Sequence, residues 1–472
     1  MAGLPGDSAT GWGWRVAALA LAAYFAGFLV FAILTQRGLV GDGGHYFLSL
    51  LRSDVVYSPE VSRWAANLLT EWPVLLALWA GVTDTTTLAR LHSFGLYYPS
   101  VLTLALGWGL LPAARKPLFV LPLLSLLFGW MGCSYGVISQ GQVAALWVWP
   151  TAFALAFCEL RTARSVALVL FLVLPTILMH EALCLYGPVL AILAWLRGRD
   201  EGRPWARWLW YLIGLWLVAA AALALYFTLV PINRNDRAGF IKGLTRFYFI
   251  AQRPGRLNPP VIVALVSAAV MLACCWAERW VRRWRAFWLP VYGLFLLVAA
   301  LAPFFLPGSF APQLQLDARS WVSAVPLLLL AALLLWRVGL LPIRPSARAM
   351  LVLVFAMAAT AQITWQVAAT LRWNAFIADV RDQLASRRGF VPYETAFAPG
   401  TPTGPAARDI LSTSWTFPQL SIVLAPGGRV AAIIGNPLPI GWQSFEPIRA
   451  SELPPATGVE YSQYIKALAD MP

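Results

Sequence analysis

Apolar residues in this chain come in runs of roughly 16 to 22, separated by short breaks that are basic or rich in Gly and Pro. A helix needs about 20 such residues to cross a hydrocarbon layer about 30 Å thick. Eleven runs have that character, at about residues 15–34, 88–112, 117–138, 143–160, 165–180, 182–197, 207–229, 260–278, 286–304, 320–337 and 348–370. The pattern predicts an all-α polytopic membrane protein with about eleven transmembrane helices, filling a transmembrane domain over residues 1–370. The first run follows a single arginine, Arg15, and is too long for a signal-peptide core, so it is expected to stay as an anchor.

Two regions depart from that rhythm. The segment 36–87 holds two half-apolar stretches, Tyr46–Leu51 and Trp64–Trp79, which read as helices lying in the interface with Trp64, Trp72 and Trp79 at headgroup depth. Beyond residue 370 the apolar runs stop. Arg372–Arg388 reads as a helix, a Pro/Gly/Thr-rich stretch follows from Ala398 to Ala407, and the short runs Leu420–Leu424 and Arg429–Ile434 read as strands joined by Ala425-Pro426-Gly427-Gly428. Residues 371–472 are therefore expected to form a small α/β domain.

Composition sharpens the class. With 60% hydrophobic and 12% charged residues, the chain has about half the charge of a soluble domain, which excludes a soluble globular enzyme. Its net charge of +14 is not a nucleic-acid signal, because of where it sits. Residues 371–472 hold 8 basic and 8 acidic residues, so the whole excess belongs to the first 370. There, fifteen basic residues from Arg115 to Arg348 occupy alternate loops, the positive-inside pattern. This orients the N-terminus to the cytoplasm and, after an odd number of crossings, the last hundred residues to the outside. The low lysine content and the Ala/Gly/Pro/Arg bias point to a bacterium, hence to its inner membrane with a periplasmic C-terminal domain. All five cysteines fall inside apolar runs and read as small core residues.

One outer segment breaks the topology rule. Residues 230–259 carry Arg234, Arg237, Lys242, Arg246, Arg253 and Arg256 against Asp236 alone, on the side where few positive charges belong. Such an exception asks for an anionic partner. A polyprenyl-phosphate-linked sugar would present a phosphate at this leaflet, where arginines bind it through charge-assisted bonds that also stabilise a departing phosphate. Arg234, Arg237, Lys242 and Arg246 are the nearest candidates, with Arg63 of the segment 36–87 beside them as a further substrate-binding residue. Anionic membrane lipids would suit the same charges, at about 1 kcal/mol per basic residue.

Candidate chemistry lies at the outer ends of two spans. In Leu39-Val40-Gly41-Asp42-Gly43-Gly44-His45-Tyr46 the glycines allow a tight turn and close approach of a ligand. Asp42 would serve as general base on an acceptor hydroxyl with His45 as its partner or as a metal ligand, or the segment would be a solvated Gly-Asp turn. His180 and Glu181 form an ionisable pair in a very apolar stretch, which marks a functional site or a capped turn just outside the hydrocarbon. Gln140 and Gln142, on the same side, have the hydrogen-bonding capacity to hold a sugar or a headgroup. A divalent cation is the one cofactor these residues admit. Neither a Gly-x-Gly-x-x-Gly nor a P-loop pattern occurs, and no His/Cys cluster has structural-zinc spacing.

One span followed by an outer loop opening on Asp42, then Trp72-Pro73-Val74-Leu75-Leu76-Ala77-Leu78, Gly81, and a second span starting Arg90-Leu91-His92-Ser93, resembles polyprenyl-phosphate-sugar-dependent glycosyltransferases of the GT-C type. The protein mannosyltransferases and the lipid A aminoarabinose transferase belong to that superfamily. The resemblance covers about residues 35–112, and elsewhere it is one of architecture. Members commonly have two adjacent acidic residues where this chain has Asp42-Gly43. The resemblance implies a GT-C-like fold, a catalytic or acceptor-orienting role for Asp42, and transfer of a sugar to a hydroxyl of a lipid, glycan or protein. A flippase for a lipid-linked sugar, or a non-catalytic partner in envelope-glycan assembly, would use the same basic groove without a base.

Overall fold

The structure is a computed structural model that describes residues 7–41, 43–53, 55–58, 61–131, 140–230, 259–305, 312–340, 348–385, 389–392, 417–424 and 431–434. Among these residues the chain is helical almost throughout. The N-terminal part contains α1 (Asp7–Leu34), α2 (Gly43–Ser53), α3 (Trp64–Trp79) and α4 (Thr85–Leu110). Next come α5 (Val120–Leu124), α6 (Gln140–Phe157), α7 (Ala163–Val173), α8 (Leu183–Asp200) and α9 (Pro204–Leu229). The remainder comprises α10 (Pro259–Trp276), α11 (Glu278–Arg283), α12 (Arg285–Phe305), α13 (Pro312–Arg337), α14 (Arg348–Ala385) and α15 (Phe417–Leu424). Two short strands, β1 (Gly389–Pro392) and β2 (Ala431–Ile434), pair in parallel with Gly389 opposite Ala431.

Among the described residues five helical segments are long and apolar enough to cross a membrane: Val16–Leu34, Ala113–Trp130, Pro204–Leu229, Arg285–Ala302 and Met350–Ala385. Shorter apolar helices cover Ala163–Leu178, Pro260–Cys275 and Val322–Arg337. The chain is thus a helical membrane protein. Prolines lie inside α4 (Pro99), α6 (Pro150), α8 (Pro188) and α13 (Pro326), and the Val322 carbonyl that Pro326 leaves free accepts from the Tyr186 hydroxyl of α8 at 3.4 Å. Local polar chemistry sets the ends. Asp84 caps α4 by accepting the Thr87 N–H at 2.8 Å, and Thr162 and Ser165 form a reciprocal capping box on α7.

Three apolar clusters organise the described residues. One gathers Trp147, Trp149, Tyr186 and Trp210 between α6, α7, α8 and α9. A second joins α1, α4, the π-helical stretch Ser125–Trp130, α10, α13 and α14 around Phe28, Tyr97 and Trp130. The third, on the side to which the positive-inside pattern assigns the outside, is termed the outer cap: Leu39, Phe47, Leu51, Val74, Leu75 and Leu88 pack with Trp373, Phe376 and Val380 of α14 and with Leu420 and Leu424 of α15.

The C-terminal region corrects one expectation. Leu420–Leu424 is helical, not a strand, because Leu420, Val423 and Leu424 fall at helical spacing and enter the outer cap together. Ala431–Ile434 is a strand, as its apolar run predicts. Helix α14 runs through residue 371 without a break, so its C-terminal half continues the last apolar run as one helix.

Candidate functional site

The outer cap is where the sequence candidates meet the structure. Its first fastening is the end of α1, where Gln36 adopts the left-handed φ of 55° and turns the chain into a short 3-10 turn, Arg37–Leu39. That turn is tied to one stripe of α14. The fully buried Arg37 donates to the Gln366 carbonyl at 2.9 Å and to the Thr370 hydroxyl and the Gln366 side chain. Trp373 Nε1 donates to the Thr35 carbonyl at 3.1 Å, and Arg381 donates to Gln36 Oε1 at 2.6 Å. From the other side Ser93 Oγ, in the Arg-Leu-His-Ser stretch of α4, accepts the Gly38 N–H at 3.0 Å. His92 beside it is buried against Phe47, with ring centroids 5.3 Å apart, and neither of its nitrogens has a hydrogen-bond partner.

Asp42 lies outside the described residues, between Gly41 at φ 62° and Gly43 at the start of α2. His45 is on α2, its Nε2 3.1 Å from the Tyr57 hydroxyl, with the rings of His45, Tyr46 and Tyr57 meeting edge to face. Residues 55–58 form a strap between α2 and α3. Tyr57 N–H donates to Glu71 Oε2 at 2.7 Å and Asn67 Nδ2 donates to Ser58 Oγ at 3.0 Å. Glu71 is 2% exposed and its Oε1 has no hydrogen-bond partner. Burial pushes its carboxyl up to about 8 against the opposing Tyr57 N–H.

The second polar cluster joins residues 118 positions apart. Pro175 tightens the chain after α7 into a 3-10 turn, Leu174–Leu178, which ends the helix and leaves residues 179–182 as a loop. Against it packs the 3-10 turn Val61–Arg63 that leads into α3. Arg63 Nε donates to both Glu181 oxygens at 3.0 Å, and Ser62 Oγ donates to Oε1 at 2.5 Å. His180 Nε2 lies 3.4 Å from Glu181 Oε2, and His180 Nδ1 accepts the Ala182 N–H at 3.0 Å. Burial alone would raise the Glu181 carboxyl, but His180, Arg63 and Ser62 outweigh it and hold the group at about 2.

The structure therefore brings together Arg63, His180 and Glu181, and separately links His45 to the strap. Gln140 opens α6, while Gln142 is buried and donates to the Trp130 carbonyl. Arg234, Arg237, Lys242 and Arg246 lie outside the described residues. Among the described residues no group of three or more His, Cys, Asp or Glu side chains is placed to hold a metal ion. Tyr57, Ser62, Asn67 and Glu71 were not apparent as site residues in the sequence. Glu71 had a usable signal, as the one acidic residue in the apolar run Trp64–Trp79. The other three acquire partners only through tertiary contacts.

Comparison with protein-family models, with curated proteins and with solved structures returns no match.

What the cap can do chemically follows from its own groups. Two carboxyls of opposite character lie here on separate segments, Glu181 held below the usual carboxylate range with Arg63 and His180 beside it and Glu71 of α3 raised by burial. An apolar groove of about 600 Å³ lies between Val55 and Val56 of the strap and the Trp64, Leu68, Trp72 and Leu76 face of α3. A second groove, of about 620 Å³ between α1, α12 and α14, contains none of the candidate residues.

Proposed function

We propose that this protein is a membrane-embedded glycosyltransferase of the GT-C type. It moves a sugar from a polyprenyl-phosphate carrier to a hydroxyl of a lipid, glycan or protein acceptor at the outer face of a bacterial inner membrane. In this reading the chain crosses the membrane eleven times, with its N-terminus in the cytoplasm and residues 371–472 in the periplasm. Asp42 takes the acceptor proton, and the basic segment with Arg234, Arg237, Lys242 and Arg246 holds the carrier phosphate.

The observation that carries the proposal is the Arg63–Glu181 cluster. Ionised and hydrogen-bonding side chains are expensive in so apolar a protein, yet Ser62, Arg63, His180 and Glu181 converge from two distant outer segments. A polar patch of this kind, on the segment that also carries Asp42, suits a ligand with a charged or hydroxylated head and an apolar tail. The groove along α3 has the character needed for the tail.

The test uses purified full-length protein and a radiolabelled polyprenyl-phosphate sugar, comparing wild type with Asp42→Asn. Transfer to an envelope acceptor by wild type and its loss in the variant is the expected result. If neither protein transfers sugar while both bind or translocate the lipid, the enzyme reading is wrong and a flippase takes its place.

A further inference from the structure

Two carboxylates are buried among the described residues, and they are treated differently. Glu201 is paired with Arg203 at 3.0 Å. Glu71 has no cation: one oxygen accepts the Tyr57 N–H and the other accepts nothing. An ionised carboxylate offers about four acceptor sites, and leaving most of them dry inside a protein is costly.

Among the described residues, the groups around Glu71 do not supply a counter-charge. Tyr57 of the strap faces it through its backbone, with His45 and Tyr46 of α2 behind the Tyr57 ring. On α4 the nearest titratable groups are His92, buried with no partner, and Tyr98, which donates to the Leu69 carbonyl and accepts from Trp72 Nε1. Helix α6 and the turn Leu174–Leu178 present no titratable side chain. Arg63 is about 12 Å away along the helix axis and engaged by Glu181, with His180 beside that pair.

We infer that Glu71 is a proton-binding latch, which holds the strap 55–58 on α3 while protonated and releases it when the proton leaves. As a neutral acid, Glu71 satisfies the Tyr57 N–H with its carbonyl oxygen and carries no charge that needs solvation. When the O–H bond breaks, the proton passes to bulk water and the carboxylate must be hydrated. Water reaches it only by parting the strap from α3, at the bonds Tyr57 N–H to Glu71 and Asn67 to Ser58. Val55 and Val56 move with the strap, so the latch governs one wall of the α3 groove. Burial places the switching range near pH 8. The latch does not depend on the sugar-transfer reading, and either can fail without the other.

Full-length protein in lipid nanodiscs, stepped from about pH 6 to 10, provides the test by infrared difference spectroscopy and amide hydrogen exchange. Wild type should show a protonated-carboxyl band that disappears with a midpoint about pH 8 and is missing from Glu71→Gln. Across that midpoint exchange in 55–58, corrected for its intrinsic pH dependence, should accelerate at least about tenfold, as one unit of proton linkage requires. In Glu71→Gln the strap should stay protected throughout. A carboxyl already ionised at pH 6, or strap exchange indifferent to pH in wild type, overturns the latch. So does a pH-dependent strap that persists in Glu71→Gln. The wild-type exchange arm stands by itself if the variant does not fold.

Discussion

Removing Arg63 should unpin the outer cap, and the cost follows from the Glu181 carboxyl. Its fall from 4.5 to about 2 corresponds to about 3 kcal/mol, at about 1.4 kcal/mol per unit. His180 is the largest of the groups that lower it, ahead of Arg63 and Ser62. The share due to Arg63 and Ser62 is therefore nearer about 2 kcal/mol, the usual worth of hydrogen bonds to a charged group. Arg63→Gln leaves a carboxylate only 16% exposed without its counter-charge. Glu181→Gln leaves a guanidinium that is 25% exposed and better able to find water. Arg63→Gln should thus cost more, about 2–3 kcal/mol, than Glu181→Gln, and the double variant should cost less than the two singles together.

The sign with pH is fixed as well. A carboxyl depressed on folding adds stability that is complete above about pH 4.5 and lost as pH falls toward 2. Thermal unfolding in detergent, followed by tryptophan fluorescence, should therefore separate wild type from Arg63→Gln by a few degrees at neutral pH. The gap should narrow in acid. A double-mutant coupling below about 0.5 kcal/mol, or a gap unchanged between pH 7 and 3, refutes the reasoning.

Glu71 carries the opposite sign. Its raised carboxyl makes the folded state lose stability as pH climbs from about 4.5 to 8, so Glu71→Gln should gain on wild type in thermal scans at alkaline pH and match it near pH 5. Gly95→Ala should be strongly destabilising, because a Cβ there would stand 1.9 Å from the Thr70 carbonyl oxygen, and separating α3 from α4 costs about 1–3 kcal/mol or more in a melting curve. Leu420→Ala, at a residue 3% exposed, should cost about 2–5 kcal/mol and lower the main unfolding transition, since α15 shares the outer cap with α2 and α14. A separate early transition, leaving the main one in place, would show that α15 does not belong to that cluster.

The apolar runs alone determined that this chain is a helical membrane protein, and several of their ends lie close to helix ends observed, although α14 continues to Ala385 where its run stops at residue 370. Length and hydropathy are properties of a segment, and a bilayer selects on those properties before any tertiary contact forms. The same local logic identified Trp64–Trp79 as a helix and His180-Glu181 as a costly polar pair. It misassigned Leu420–Leu424, where so short a mostly apolar run suits strand and helix equally and packing against Gly44 and Phe376 decides. It could not pair Arg63 with Glu181, 118 positions away, nor see that a strap at 55–58 would leave Glu71 half-satisfied. Ion pairs and burial belong to the relative placement of helices, set here by a proline-tightened turn after α7 and by glycine at the α3–α4 contact. Only the tertiary structure decided that one carboxyl of the outer cap is held as a charge while the other is left with its proton.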